Sequence, residues 1–316
     1  MTRNVEAIAE AFCSAANLGA GFDVFGLALN RYSDRVRVRA ISGRAIRIFV
    51  KGRYGSGLPR DPKKNSAGPP AKALLRKAGS KIGLEITIEK NVPHGLGLGS
   101  SGATAAACTK ALDSLLDLKL SNNELVRVAS LGEKAITGTA HADNVGASLL
   151  GGFVVVCGNP FRAISIKPPT SLLSVVVSPH LNVQEGKTRH ARKLIPKSIE
   201  VKKAVLNIGR ASAIAVGFAR GDIEMIGCGM EDEIAEPYRE SLIPGYRDVK
   251  NAALAAKAAG VSISGAGPSI IALVDRALHD PQRVAKAMVQ AFTQRNVQST
   301  FFVAQAASGA RIVRRK

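Results

Sequence analysis

A glycine-rich run at residues 93–105 is the part of this sequence best suited to chemistry. It reads PHGLGLGSSGATA and leads into an alanine-rich segment typical of a helix. Glycines let backbone N–H groups approach an anion closely, and a following helix adds unpaired donors and the positive end of its dipole. We therefore expect a phosphate site made by Pro93, His94, Gly95, Leu96, Gly97, Leu98, Gly99, Ser100, Ser101, Gly102 and Ala103.

Two common phosphate loops do not fit this run. Residues 97–102 match the G-x-G-x-x-G pattern of a dinucleotide-binding turn. The strand before such a turn should be apolar on both faces, whereas residues 84–89 alternate between apolar and polar. A Walker loop would need a lysine directly after Gly102, where Ala103 stands. A tight turn that only packs a helix against a strand is the remaining alternative, and the five consecutive small residues from Gly99 to Ala103 argue against it.

One carboxylate, Glu133, combines a helical position with an inward-facing side chain. Ser121 and Glu124 have the spacing of a capping box, which predicts the start of a helix that contains Glu133. At 100° per residue, Glu133 falls at the margin of the apolar arc of that helix. A carboxylate facing inward needs a partner from elsewhere, either a metal ion or a basic side chain. For Mg²⁺, one carboxylate and the hydroxyl of Ser101 would be enough from the protein.

The pattern P-x-x-x-G-L-G-S-S-G-A at residues 93–103 resembles the ATP-binding signature of the GHMP kinases, the family of galactokinase, homoserine kinase, mevalonate kinase and phosphomevalonate kinase. Residues 16–29 and 262–269 resemble the first and third motifs of that family. The resemblance implies an α+β fold with two domains, an N-terminal ATP-binding α/β domain and a C-terminal ferredoxin-like α+β domain. It also implies ATP and Mg²⁺ as cofactors, with Ser101 and Glu133 as metal ligands and catalytic residues and Asn65 as an adenine contact.

Three further stretches resemble the form that homoserine kinases use within this family. They are H-x-D-N at residues 141–144, E-P-x-R at residues 236–239, and ARKLIP at residues 191–196, which is similar to A-R-x-x-L-P with isoleucine in place of the leucine. A zwitterionic amino acid needs a carboxylate for its ammonium group and guanidinium groups for its carboxylate. The resemblance therefore implies phosphorylation of the hydroxyl of L-homoserine, in a mechanism without a dedicated base. The substrate-binding residues that it implies are Asn17, Asp23, His141, Arg192, Arg239 and Gly265.

Each acceptor-site residue has a plainer interpretation. Asn17 and Asp23 could stabilise a turn, because Asx side chains bind their own backbone. His141 could cap a loop, and Arg239 could belong to a surface ion pair. If the reaction does use a catalytic base, His141 is the first candidate. Arg192 lies in a basic run with Arg189, so either could bind the substrate carboxylate. Another acceptor, such as shikimate or mevalonate, stays open.

The elements that must position these residues alternate along the chain. Strand-like segments at residues 45–50 and 84–89 and helices after Ser101 and Ser121 make up the first half. Gly158, Asn159 and Pro160 indicate a break, which divides the chain into domains 1–160 and 161–316. In the second half, helices at 198–220, 223–234, 247–259 and from about 281 are interleaved with strands at 172–177, 261–264, 270–274 and 300–304. This order favours helices on one face of a mostly antiparallel sheet.

The composition is that of a globular protein with an unusual charge. The 316 residues carry a net charge of +20, which keeps a nucleic-acid-binding or regulatory role on an ATP-binding scaffold as an alternative. The alternating RVRVR at residues 35–39 and the lack of tryptophan favour a solvated basic surface instead. We expect a cytoplasmic enzyme without a membrane segment or specific nucleic acid and with four unpaired cysteines, and a homodimer is the candidate assembly.

Overall fold

The computed structural model describes residues 5–137, 141–181 and 186–315, of which residues 135–137 contribute their backbone only. The strands are β1 (Glu6–Asn17), β2 (Gly21–Ile41), β3 (Ile46–Lys51), β4 (Gly83–Glu89), β5 (Phe153–Cys157), β6 (Arg162–Ile166), β7 (Leu172–Pro179), β8 (Gly260–Ile263), β9 (Ile270–Asp275), β10 (Ser299–Ala304) and β11 (Arg311–Arg315). The α-helices are α1 (Gly68–Lys77), α2 (Ser100–Leu116), α3 (Asn122–Thr137), α4 (Asp143–Leu150), α5 (Lys187–Lys193), α6 (Val201–Arg220), α7 (Ile223–Cys228), α8 (Glu236–Arg239), α9 (Tyr246–Ala255) and α10 (Pro281–Gln294).

The first sheet is organised around the long strand β2. Antiparallel pairing joins β2 to β1, β4 and β5, while β3 runs parallel to β4, β6 pairs with β5, and β11 pairs with β1. Apolar side chains from one face of this sheet share a core with α1, α2, α3 and α4. The arginines of β2 lie on the other face, where Arg35 pairs with Glu10 at 3.2 Å and Arg39 with Glu85 at 2.9 Å. Part of the basic surface is therefore compensated within the sheet.

The second sheet is antiparallel, in the order β10-β7-β9-β8. One face packs on α9 and α10. On the other face, Val176 and Ile271 share a core with α6, α7 and the first domain, where the rings of Phe153 and Phe218 stack with centroids 3.8 Å apart. The sequence predicted helices on one face only of this sheet. Its second face is also covered, because α6, α7 and the first sheet pack against it.

Several element boundaries differ from those expected. Residues 65–70 are rich in residues that break helices, yet α1 starts at Gly68 and accepts prolines in its first turn, where their missing N–H groups would have no helical partner. The helix expected at 223–234 ends at Cys228. Strands β6 and β11 follow residue 160 in the chain but belong to the first sheet. The first sheet therefore takes strands from both sides of residue 160, and the division into two domains there stays a prediction.

The start of α3 confirms the capping box. The backbone N–H of Ser121 donates to Glu124 Oε2 at 3.0 Å, and the N–H of Glu124 donates to Ser121 Oγ at 3.4 Å. Glu133 lies three turns further along the same helix and is buried, whereas its neighbours Arg127 and Lys134 are exposed. In the described part of the chain, we find no helix with the length and apolarity needed to cross a membrane.

Candidate active site

A large cavity of about 980 Å³ lies where the glycine-rich run meets the second domain. Most of its wall comes from three parts of the chain: residues 57–66, the run at 94–101, and residues 265–267. Asn65 is among the lining residues, and its side chain holds its own loop by donating to Pro59 O at 2.7 Å and accepting from the N–H of Ala67 at 3.0 Å. The cavity is therefore lined by Asn65 and by seven of the eleven residues of the predicted phosphate site. The four that do not line it are Pro93, Leu96, Gly102 and Ala103.

The backbone at the start of α2 forms the floor of the large cavity. The helix begins at Ser100, and the preceding Gly99 has φ 61° and no side chain that could cap the first turn. Gly97 has φ 76°, and a Cβ there would lie 2.1 Å from the carbonyl oxygen of Ser264. The N–H groups of this first turn are left for a ligand, which suits an anion such as a nucleotide phosphate. Ala103, in contrast, is buried in the core between the sheets, and Leu98 packs in that core as well as lining the cavity.

A small cavity of about 60 Å³ adjoins the large one. All six residues expected to bind the acceptor line it, although they come from five separate parts of the chain. They are Asn17, Asp23, His141, Arg192, Arg239 and Gly265. Five residues line both cavities and so form their common wall: Glu133, Asn144, Thr188, Gly265 and Ala266. A group transferred from a ligand in one cavity to a ligand in the other would therefore pass close to these five residues.

The three glycine-containing stretches meet at Gly265. Its carbonyl oxygen accepts hydrogen bonds from Asn17 Nδ2 at 3.0 Å and from Arg239 Nη1 at 3.0 Å, and its N–H donates to Ala16 at 3.0 Å. Next to it, the Ser264 hydroxyl donates to the carbonyl oxygen of Gly97 at 2.7 Å. These bonds fix the small cavity relative to the phosphate-binding run.

Asp23, His141 and Arg192 form one ionic cluster in the small cavity. Arg192 Nη2 donates to Asp23 Oδ2, and His141 Nδ1 lies 3.2 Å from Asp23 Oδ1. Burial alone would raise the pKa of Asp23, but the bonds from His141 and Arg192 hold it below its usual value. Asp23 also has φ 58°, and its N–H donates to Asn17 Oδ1 at 3.2 Å, so the turn-stabilising role and the ligand-facing role coexist in these two residues.

The two arginines of the small cavity share an aromatic neighbour. Arg239 is buried, donates to Ala191 O at 3.4 Å, and lies with its guanidinium carbon 5.2 Å from the ring centroid of Phe22; the corresponding distance for Arg192 is 5.3 Å. Burial lowers the pKa of Arg239. Arg189 lines the large cavity instead of the small one, so the geometry favours Arg192 as the acceptor-site arginine.

Glu133 stands at the common wall with its carboxylate buried. Burial, followed by the charge of Asp143, raises its pKa, whereas a hydrogen bond with Ser101 and the charges of His141 and Lys90 lower it. A carboxylate and a hydroxyl side by side at the edge of a phosphate site supply the hard oxygen ligands that Mg²⁺ prefers. Within the described ranges, no group of three or more His, Cys, Asp or Glu side chains could hold a metal, so phosphate oxygens and water would complete the coordination.

Some residues at the site were not expected from the sequence. Asn144 and Thr188 line the common wall, and Lys90 lines the large cavity. Asn144 could have been found from its place in the H-x-D-N stretch, and its Oδ1 accepts a hydrogen bond from Ser14 Oγ at 2.9 Å. Lys90 ends the stem of the glycine-rich run, where a single lysine carries no pattern of its own.

Comparison with known proteins matches both halves of the chain. A model of the GHMP kinases N terminal domain matches residues 66–152, and a model of the GHMP kinases C terminal matches residues 214–295. A curated homoserine kinase of Thermoplasma acidophilum is 40% identical over 307 residues, which cover 97% of this chain and 96% of the relative. That of Sulfurisphaera tokodaii is 37% identical over 309 residues and covers 98% of this chain and 99% of its own length.

Solved structures resemble the whole chain. The crystal structure of homoserine kinase from Cytophaga hutchinsonii superposes with a TM-score of 0.89 at 36% identity and covers 99% of both chains. Mevalonate diphosphate decarboxylase from Staphylococcus aureus has a TM-score of 0.69 at 14% identity and covers 98% of both chains, which is a likeness of fold alone.

Proposed function

Because the chain belongs to the GHMP kinases, we propose that it transfers the γ-phosphoryl group of ATP to the side-chain hydroxyl of L-homoserine, giving O-phospho-L-homoserine and ADP. The observation that carries this proposal is the pair of adjoining cavities with a common wall. The larger has a glycine loop and a helix start for phosphates, and the smaller has one carboxylate and two guanidinium groups. The relatives named homoserine kinase support the same acceptor.

The small cavity matches the charges of an amino-acid zwitterion. Asp23 would accept hydrogen bonds from the ammonium group, while Arg192 and Arg239 would donate to the carboxylate. In the structure Asp23 and Arg192 bind each other, so a zwitterion would exchange one internal ion pair for two contacts with the ligand. Shikimate and mevalonate carry a carboxylate but no ammonium group, so neither would give Asp23 a cationic partner in place of Arg192, which disfavours them as the acceptor.

Glu133 and Ser101 would hold Mg²⁺ at the common wall. When bound there, the ion would neutralise charge on the β- and γ-phosphates of ATP. The raised pKa of Glu133 shows that burial penalises its charged form, and a cation bound beside the carboxylate would offset that penalty.

Phosphoryl transfer needs positioning more than covalent participation by the protein. The backbone at the start of α2 would orient the phosphates, and the ionic cluster with Asn17 would place the acceptor hydroxyl at the common wall. His141 Nδ1 lies 2.9 Å from Arg192 Nη2 and 3.2 Å from Asp23 Oδ1. This nitrogen would therefore orient the side chains of Asp23 and Arg192 for substrate binding. The hydroxyl proton would leave to a phosphate oxygen or to water, without a dedicated base.

The test is an ADP-release assay with MgATP and four separate alcohols, L-homoserine, shikimate, mevalonate and galactose. We expect turnover with L-homoserine and formation of O-phospho-L-homoserine, identified by phosphorus NMR or mass spectrometry. Turnover with one of the other alcohols and none with L-homoserine would refute the acceptor while leaving the kinase family intact.

A further inference from the structure

We infer that Asp34, a buried carboxylate outside both cavities, is a positioning residue for the phosphate loop, defined here as residues 93–99. Asp34 lies on β2 and is 0% exposed. The inference rests on the proposed role of this loop in binding ATP, but it does not depend on which alcohol is the acceptor.

Asp34 binds both stems of the phosphate loop. Its Oδ1 accepts hydrogen bonds from the N–H groups of Asn91 and Val92, both at 2.9 Å, at the point where the chain enters the loop. Its Oδ2 accepts from Thr104 Oγ1 at 2.7 Å, in the first turns of α2 where the chain leaves it. One carboxylate on a central strand therefore fixes the entry and the exit of the loop at the same time.

Lys90 completes this clamp. Its Nζ binds Asp34 Oδ2, Thr104 Oγ1 at 2.8 Å and the carbonyl oxygen of Ser100 at 2.5 Å, so three acceptors match the three N–H bonds of the ammonium group. Lys90 lines the large cavity, whereas Asp34 lies behind it. The ion pair thus lies at the wall of the phosphate site, and the charge of Lys90 also lowers the pKa of Glu133.

The physical reason for such a clamp lies in the loop itself. Gly95, Gly97 and Gly99 all have positive φ, and glycines lose more conformational freedom on folding than other residues. A loop of this kind holds its N–H groups in a phosphate-binding arrangement only if its two ends are fixed. A buried carboxylate with four bonded donors does this more rigidly than an exposed ion pair, because removing any donor leaves buried charge unsatisfied.

The main test replaces Asp34 by asparagine. The Asp34→Asn side chain keeps its size but places an NH₂ group against the donors of Lys90 and Thr104. We expect kcat/KM for ATP to fall about 100-fold, as a small misplacement of a binding group can cause. The dissociation constant of ADP alone, measured by calorimetry without acceptor, should rise at least tenfold, while that of homoserine changes less than threefold. Phe292→Leu, a core change in the second domain, controls for lost stability and should leave ADP binding unchanged.

A second pair of variants keeps the test decisive if Asp34→Asn does not fold. Thr104→Val removes the hydroxyl at constant shape, and Thr104→Ser retains it. We expect weakened ADP binding in the valine variant and near-normal binding in the serine variant. ADP binding within twofold of wild type in folded Asp34→Asn, or in Thr104→Val if Asp34→Asn does not fold, would overturn the inference, as would an equal loss of ADP and homoserine affinity. Because ADP binding is measured without turnover, an incorrect acceptor assignment would not affect the ADP result, which distinguishes failure of this inference from failure of the proposed function.

Discussion

The large and small cavities offer different groups for ligand recognition. The large cavity offers backbone N–H groups of a glycine loop and the start of α2, which are contributed by consecutive residues. The small cavity offers the charged or ionisable side chains of Asp23, His141, Arg192 and Arg239, brought together from four distant parts of the chain. Backbone recognition tolerates side-chain changes but not changes of chain geometry, whereas side-chain recognition has the opposite sensitivity. Variants of each kind should therefore separate the two cavities kinetically.

The largest effect on kcat is expected at the common wall, where Glu133 lines both cavities. Glu133→Gln keeps the size of the side chain and removes the charge that burial disfavours, so the variant should fold at least as stably as the wild type. We expect kcat to fall about 100- to 1000-fold, the usual cost of losing an electrostatic group in the site. Homoserine binding should be retained. Near-normal kcat at sub-millimolar Mg²⁺ would show that the carboxylate is structural.

The acceptor cavity is tested by removing its guanidinium groups one at a time. Arg192→Ala and Arg239→Ala should each weaken homoserine binding by about 2–5 kcal/mol, because each leaves a buried charge without its partner. The KM for ATP should change little. Arg189→Ala, on the same helix as Arg192 but facing the large cavity, should instead change the KM for ATP and is the matched control. An unchanged homoserine KM in both acceptor variants would place the carboxylate elsewhere.

The backbone character of the large cavity is tested at Gly97. A Cβ there meets the carbonyl oxygen of Ser264 at 2.1 Å, so Gly97→Ala should displace the loop and lower kcat/KM for ATP about tenfold. Gly43→Ala has a similar positive φ of 83° but meets nothing within 4 Å, so it carries the backbone strain without the clash. If both variants lower kcat/KM equally, the close approach of the two loops has no role in ATP use.

The smallest expected effect is a pH dependence of ATP binding. Burial, with the charge of Arg239 adding to it, lowers the pKa of Lys187 to about 7, and its Nζ donates to Gly95 O at 3.2 Å. Below that pH, Lys187 gains a positive charge beside the phosphate loop and should bind ATP more tightly, by about threefold because the site is partly screened by solvent. The Lys187→Met variant should lack this component and retain only the titration of ATP. Parallel pH profiles for the two proteins would contradict the prediction.

How far the sequence could predict the site follows from the same contrast. The spacing of glycines around Gly97 and the capping box at Ser121 are local patterns, and the structure has both a phosphate-type helix start at Ser100 and a capped α3. Asp34 and Lys90 left no such pattern, because a buried ion pair between residues 56 positions apart is visible only after β2 and β4 have paired. Thr188 left no pattern either, because it reaches the common wall only through the packing of α5 in the folded chain.

By itself, the sequence determined those features that depend on residues close together in the chain: the glycine loop, the helix that carries Glu133 inward, and the identity of the side chains available for a zwitterion. Tertiary structure decided which of them meet. In the folded chain Arg192 lines the small cavity and Arg189 does not. Folding also brings Asp23 into contact with Arg192 and His141, and it brings Gly265 to the wall that both cavities share. The physical reason is that backbone conformation is governed by local sterics, whereas ionic contacts form wherever chain packing brings charges within a few ångströms of each other.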